Sequence, residues 1–487
     1  MTFVLFQPEA AAPTAQVSPR VAEQIRQLGD EISNLRADHS ELLRAAGMES
    51  TQGVGRVDIL HGYIWVFVAA FAVTLITTPI MRRLAIRHGL VDRPNDPRKI
   101  HRVPIAYMGG VAVFLGLMAG VLYSYLSLAF PGLIDTHGTI HTMSDDIAPM
   151  PVPYSVVLGM FIIMLVGLFD DAANISPRLK IAGQLVAAAA LAIDNVGVNV
   201  AQGVLKPIGE AVGNEDLTWT IPLVIPGILN GIEFNLMYWA GTGVIAMFVL
   251  GGTNAANLID GLDGLLSGVT AIAVGGFLIV ALTLALRDDG VRDAQRIILC
   301  LAVLGACLGF LPHNFNPANI FLGDSGSLLL GYCSVVIILT LGDTGKTHLV
   351  AAGVLIWAIP VIDTALAIVR RKLAGKRMSD ADDQHLHHMF KRALGVKGAV
   401  LALYGIGGTF AFLGVMLSIT NAKFMYAAAF VFLAFVGVTA IKIARKRQLE
   451  EALPKPAEGL AIHGPPAPPT PDGKARASES DAPATAG

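Results

Sequence analysis

Long apolar runs broken by short polar stretches dominate the chain from residue 59 onward. Each run of about 20 such residues is long enough to cross a bilayer. The pattern predicts eleven helices, centred near Phe67, Leu117, Ile162, Ala189, Ala246, Val274, Val303, Val335, Leu355, Gly407 and Phe432. The expected fold is therefore an all-α polytopic membrane protein with its core over residues 59–447. Residues 1–58 form an extension of different character, with no basic segment at Met1–Gln7 of the kind that opens a cleavable signal. Within it Val21, Ile25, Leu28, Ile32, Leu35 and Leu42 alternate at spacings of four and three, with His39 in the remaining slot. This short heptad pattern suits a helical hairpin or a stalk pairing two copies into a homodimer, and equally a lone amphipathic helix or an unfolded leader. Residues 448–487 are rich in Pro and Ala and carry too little apolar surface to order themselves.

Orientation follows from the basic residues. The connection after the first span carries Arg82, Arg83, Arg87, Arg93, Arg98, Lys99 and Arg102, and the next connection carries no Lys or Arg. Continued along the alternation, 17 basic residues fall on the side of the first connection and 6 on the other. The positive-inside rule makes the richer side cytoplasmic. An odd number of spans then places the N-terminus outside and the C-terminus in the cytoplasm, in agreement with Lys442, Arg445, Lys446 and Arg447 after the last span.

Composition supports lipid as the solvent. Of 487 residues 54% are hydrophobic and only 15% charged, and the mean hydropathy is +0.60; a soluble chain carries charge at roughly a quarter of its positions. A net charge of −2 and a pI near 6.6 leave no basic footprint for nucleic acid. Cys300, Cys307 and Cys333 all lie in apolar runs and form neither a disulfide framework nor a thiolate metal site.

Ionisable groups are costly near lipid, so their clustering is informative. Four constellations lie on connections or span ends assigned to the cytoplasmic side. Asp170-Asp171-Ala-Ala-Asn174 closes the third span. Two adjacent carboxylates repel, and a divalent or substrate cation relieves them; a solvated helix end is the competing reading. Asn254-x-x-Asn257-x-x-Asp260-Gly261-Leu-Asp263-Gly264 is set between two spans. In an unbroken helix Asn254 and Asp263 face opposite ways, so a break at the glycines is expected to bring the four side chains together and to free backbone N–H groups for a phosphate. Gly323-Asp324-Ser325-Gly326 follows Phe321 and brackets an acid and a hydroxyl with glycines. It can present Asp324 to a metal, and Phe321 can either pack or stack on a base. Asp382-Asp383-Gln384-His385-Leu-His387-His388 lies in a basic loop that also holds Lys391 and Arg392. Anion binding suits it better than zinc, since no suitably spaced fourth ligand is present. Asp363, inside the ninth span just after Pro360, reads either as a buried acid satisfied by freed backbone or as part of the site.

These motifs, in this order and on one side, resemble the polyprenyl-phosphate N-acetylhexosamine-1-phosphate transferases, over roughly Trp65 to Arg447. Pro360-Val-Ile-Asp363-Thr364 and the His-Leu-His-His form resemble the branch that uses UDP-N-acetylglucosamine, rather than the phospho-N-acetylmuramoyl-pentapeptide branch. Met389, Ala106-Tyr107 and Arg377-Met378-Ser379 depart from the usual pattern in loops expected to meet the sugar nucleotide.

The resemblance implies transfer of a sugar-1-phosphate from a UDP-sugar to a polyprenyl phosphate, with UMP released, at the cytoplasmic face of the bacterial inner membrane. It implies Mg²⁺, with Mn²⁺ as a substitute, held by Asp324 and Asn257. Asp170, Asp171, Asp260 and Asp263 are the implied catalytic carboxylates. Lys99, His101, Arg102, Asn174, Asn254, Phe321, His385, His387 and His388 are the implied substrate-binding residues. Two other classes compete. A transporter also has many spans, but its acids belong at mid-bilayer with repeated halves; a scaffold would assemble through the N-terminal heptads.

Overall fold

The computed structural model describes residues 56–93, 104–130, 132–134, 151–225, 229–286, 292–373, 375, 385–420 and scattered positions between 423 and 442. The heptad segment, the tail, Phe432 at the last predicted span, and Lys99, His101 and Arg102 lie outside the described residues. In chain order the elements are α1 (Arg56–Arg87), β1 (Val91–Asp92), β2 (Ile105–Ala106), α2 (Gly109–Ala129), α3 (Tyr154–Ala173), α4 (Pro177–Ile193) and α5 (Gln202–Val212), the last entered through a short 3-10 turn. Next come β3 (Thr218–Ile225), β4 (Leu229–Asn235), α6 (Leu236–Ile259), α7 (Leu265–Ala285), α8 (Asp293–Asn314), α9 (Gly323–Leu341), α10 (Thr347–Ile356), α11 (Ala358–Leu373) and α12 (Leu386–Ile419).

Ten of the eleven predicted centres fall inside helices. Among the described residues eight helices are long and apolar enough to cross a membrane, and ten spans result if each of two bent pairs counts once. The ninth predicted span is not one rod. α10 and α11 meet at 84°, because Pro360 has no N–H to give the Ile356 carbonyl and its ring crowds that turn. The fourth predicted span likewise ends at Ile193, and the chain turns through 84° into α5, with Gly197 at φ 88° in the bend. The helical membrane fold is as expected, with one short hairpin added to it. β3 and β4 pair antiparallel from Thr218↔Asn235 to Ile225↔Leu229, built from β-branched and aromatic residues that favour a pleated surface.

α9 is the axis of the molecule. Every residue from Ser325 to Leu341 is buried, enclosed by α2, α3, α6, α7, α8 and α10. The outer helices instead show apolar side chains, among them Leu115, Leu122, Leu158, Phe161, Met247, Leu401 and Phe412. An apolar mantle of this extent belongs against lipid. Buried charge on the site-distal half is paired: Arg296 binds Asp293 at 2.7 Å and the Thr340 carbonyl at 2.8 Å.

The helix ends are locally specified. Asn174, in the left-handed region at φ 50°, closes α3, and Ser176 with Pro177 opens α4. Asn235 accepts from the Tyr238 N–H at 2.9 Å and starts α6. The C-terminal ends of α3, α6 and α8 and the N-terminal ends of α2, α4, α7, α9 and α12 gather at one face of the bundle.

Candidate active site

At that face the segment leading into α2 is zipped to the segment leading into α9. The Phe321 N–H donates to the Ala106 carbonyl at 2.9 Å, Gly109 N–H to Phe321 at 3.0 Å and Gly110 N–H to Leu322 at 2.8 Å. The chain then turns at Gly323, at φ 73°, where a side chain would start 2.6 Å from the Asp171 carboxylate. Only glycine tolerates both. Asp171 reaches from the end of α3 to the start of α9 and accepts from the Asp324 N–H at 2.7 Å and the Ser325 N–H at 3.1 Å. It satisfies two of the N–H groups that a helix start leaves open, and so sets the position of Asp324.

Lys180, on the first turn of α4, joins the carboxylates. It donates to Asp170 at 3.0 Å and to Asp324. Asp170 also accepts from the Ile175 N–H at 3.0 Å, and Asp324 accepts from Asn257 Nδ2 at 2.8 Å. The same amide donates to Ser327 Oγ at 2.9 Å. Of the five carboxylates Asp170, Asp171, Asp260, Asp263 and Asp324, the Lys180 ammonium pairs with Asp170 and Asp324. Asp260 meets no hydrogen-bond donor among the described residues. Burial, followed by the Asp324, Asp171 and Asp263 charges, pushes its pKa up to about 8. Burial, together with the charges of Asp92, Asp171 and Asp324, also raises the nearby Tyr107 phenol above its usual range.

A cavity of about 680 Å³ opens beside this cluster, with Asp260, Asp263, Asp324, Phe321, His388 and Lys391 in its wall. Arg82 and Tyr107 line it as well. The helix break expected at Gly261 is present: α6 stops at Ile259, and α7 starts after Gly264 at φ 77°. It brings Asn257, Asp260 and Asp263 to the cavity. Asp263 accepts from Asn316 Nδ2 at 2.8 Å and the Ala318 N–H at 3.0 Å, which ties the loop to the α8–α9 connection. Phe321 packs against Tyr107 with ring centroids 6.1 Å apart.

Other predicted residues lie elsewhere. Asn254 precedes the break and donates to Gln184 at 3.1 Å on α4. Asn174 is the exposed cap of α3. His385 and His387 are buried behind the cavity wall, bonded to Asp363, while His388 lines the cavity. Lys180 was not singled out in advance as a site residue. Its only sequence signal is a lone cation at the head of an apolar run ten positions after Asp170.

A hard divalent cation fits this donor set. The ligands on offer are carboxylate and amide oxygens, and Asp260 is held among like charges with no donor to offset them, which is the situation a cation relieves. Asp324, Asp260 and Asn257, which line the cavity, are the residues that would hold one, with substrate phosphates and waters completing its shell. Among the described residues it is instead Asp363, His385 and His387 that bring three ligand atoms within 4.8 Å of one another. There, however, the carboxylate already accepts from both rings and from the Leu386 N–H.

The sequence that builds this bundle, with acids gathered at one end beside a cavity of about 680 Å³, is similar to those of known proteins. The chain belongs to glycosyl transferase family 4, whose description matches residues 153–342. It is 30% identical over 378 residues to a Bacillus subtilis (strain 168) protein named probable undecaprenyl-phosphate N-acetylglucosaminyl 1-phosphate transferase, covering 77% of this chain and 90% of that one. It is 35% identical over 372 residues to the decaprenyl-phosphate N-acetylglucosaminephosphotransferase of Mycolicibacterium smegmatis, covering 70% and 79%. The phospho-N-acetylmuramoyl-pentapeptide-transferase of Bacillus cytotoxicus is 29% identical over 362 residues, covering 72% and 95%.

Proposed function

We propose that the protein transfers N-acetylglucosamine-1-phosphate from its UDP ester to a polyprenyl phosphate in the inner membrane, at the cytoplasmic face, as a step in cell-envelope polysaccharide synthesis. The supporting observation is that Asn257, Asp260, Asp263 and Asp324 line one cavity at the end of the bundle, with Asp170 and Lys180 joined to Asp324 behind it. A water-soluble donor and a lipid-bound acceptor can meet only at a membrane boundary.

In the reaction an oxygen of the lipid phosphate forms a bond to the sugar-bearing phosphorus of the donor. The bond from that phosphorus to the bridging oxygen breaks, and UMP leaves with the oxygen. Donor and acceptor are both anions, so the site has to neutralise charge and align the two groups in line. A Mg²⁺ ion, with Mn²⁺ as substitute, would supply the neutralisation. Lys180 holds Asp170 and Asp324 at a fixed separation, and Asp171 holds Asp324 at the start of α9. His388 and Lys391 face the donor's phosphates from the opposite wall, and Phe321 offers a flat surface to the base. A phosphate monoester loses its second proton near pH 6, so the acceptor is already nucleophilic at neutral pH. Asp170 therefore orients the acceptor rather than deprotonating it.

Donor choice rests on two supports. The relatives named for N-acetylglucosamine share 30% and 35% identity, and Asp363 stands with the His-Leu-His-His segment. Membranes containing the protein, given labelled UDP-N-acetylglucosamine, Mg²⁺ and polyprenyl phosphate, should yield a lipid diphosphate carrying the sugar and one UMP per product. Labelled product from the muramoyl-pentapeptide donor alone would reassign the donor, and ion flux without UMP release would remove the transferase reading.

A further inference from the structure

Asp363 lies on α11, past the bend at Pro360, and is completely buried. Its Oδ2 accepts from Nδ1 of His385 at 3.2 Å and of His387 at 3.1 Å, and its Oδ1 accepts from the Leu386 N–H at 2.6 Å. An ionised carboxylate only accepts, so both rings carry a proton on Nδ1. The three imidazoles form a cluster: His385 and His387 stack with centroids 5.5 Å apart at 23°, and His388 lies tilted against His387 at 4.3 Å and 45°. His388 is the member that reaches the cavity. On its other side His387 meets the α6–α7 loop, with Nε2 lying 2.5 Å from the point where a side chain on Gly261 would begin. Gly261 adjoins Asp260 and is two residues from Asp263.

We propose that Asp363 is a positioning residue. It holds His385 and His387 in the Nδ1–H form and, through them, sets both the depth of His388 in the cavity and the approach of the Asp260–Asp263 loop to it. Asp363 touches no substrate. It acts as the fixed end of a chain that runs from α11 through two histidines to the two walls between which the nucleotide diphosphate of the donor enters. Gly261 is part of the device, because any side chain there would push the His387 ring off the loop. The inference rests on the transferase reading for its kinetic consequence and on the ring geometry alone for its structural one.

Asp363→Asn separates the positioning role from simple packing. The amide has the same size, and its oxygen still accepts from the Leu386 N–H, but its NH₂ faces the Nδ1 atoms and cannot accept from them. At least one ring must change tautomer or lose its bond. In full-length protein in nanodiscs with ¹⁵N-labelled histidine, two rings in the Nδ1–H form are expected in the unmodified protein and at most one in Asp363→Asn. The donor KM should rise at least tenfold, while the KM for polyprenyl phosphate stays within twofold. Asp363→Glu, which restores an acceptor, should recover part of the donor affinity. A second pair of variants does not depend on Asp363: Gly261→Ala should weaken donor binding in the unmodified background and do so far less in His387→Ala, where no ring is left to strike. Unchanged histidine tautomers or an unchanged donor KM in Asp363→Asn would overturn the proposal, as would equal effects of Gly261→Ala in both backgrounds. If the unmodified protein makes no lipid product, the transferase reading fails. The histidine spectrum and a titration with UDP then decide the buttress separately.

Discussion

Lys180 is the cation that bridges Asp170 and Asp324, and its removal has a directional consequence. Without it Asp170 and Asp324 repel across the space it fills, and Asp324 loses one of the two contacts that aim its carboxylate. Lys180→Met should lower kcat by about 10²-fold, the scale at which an ångström's misplacement of site groups costs rate. It should leave expression and membrane insertion intact, as read by turnover of purified protein against its gel-filtration profile. Asp260 makes a second prediction, through its proton. With a pKa near 8 it is about nine-tenths protonated at pH 7 in the cation-free protein. A divalent ion bound beside it must expel that proton. Calorimetric titration with Mg²⁺ in two buffers of different ionisation enthalpy should show release of about one proton at pH 7. Little should be released at pH 9, or at either pH in Asp260→Asn. The sign for stability follows from the same shift: between about pH 4 and pH 8 the folded state binds more protons than the unfolded one. The stabilisation this group gives the cation-free protein is therefore full at low pH and lost as pH rises through about 8, and Asp260→Asn should flatten that fall in a thermal-melt series.

At the scale of elements, the site is built from helix ends, and Asp171 is the joint between two of them. Its carboxylate closes the first turn of α9 from the end of α3. Asp171→Ala should cost roughly 1–2 kcal/mol, the upper range for loss of a helix cap, read as a lower denaturation midpoint. It should reduce turnover further than that stability loss accounts for, because Asp324 moves with the turn. Much of this was legible beforehand. The helix ends were marked by Asn174, Ser176-Pro177, Gly261 and Gly323, residue types with one physical use at such positions, and the acids were conspicuous against an apolar background. The partners of those acids were not legible. Nothing in the spacing of Asp170 and Asp171 tells that one carboxylate turns to Lys180 and the other to backbone N–H groups 153 residues away. Likewise, His385 and His387 read as anion-binding residues in sequence, yet a buried acid from the preceding helix bonds to both. Side-chain partners across helices are fixed by packing, and a periodic apolar pattern carries no record of it.

For the molecule as a whole, the run of apolar segments revealed a helical membrane bundle but not the two 84° bends, since Pro360 and Gly197 can be absorbed or can break a helix according to what packs around them. It also could not separate the β3–β4 hairpin from a polar loop. The bundle nevertheless has two distinct ends, and the basic residues favour one. Arg82, Arg83, Arg87, Arg178, Arg370 and Arg371 all lie at the end that holds the cavity, and the proposed orientation, which rests on the positive-inside rule, turns that end to the cytoplasm. The three native cysteines are buried in α8 and α9 and give no background to a polar thiol reagent, so single cysteines placed at exposed sites can report the orientation directly. Arg178 opens α4 at the cavity end. Glu215 follows α5 at the other end, about 25 Å away along the 17 residues of α4. In intact cells a membrane-impermeant maleimide should label Glu215→Cys and leave Arg178→Cys unlabelled until the membrane is opened. The reverse pattern would put the carboxylate cluster outside, where no UDP-sugar is made, and a cytoplasmic donor could then no longer be the substrate.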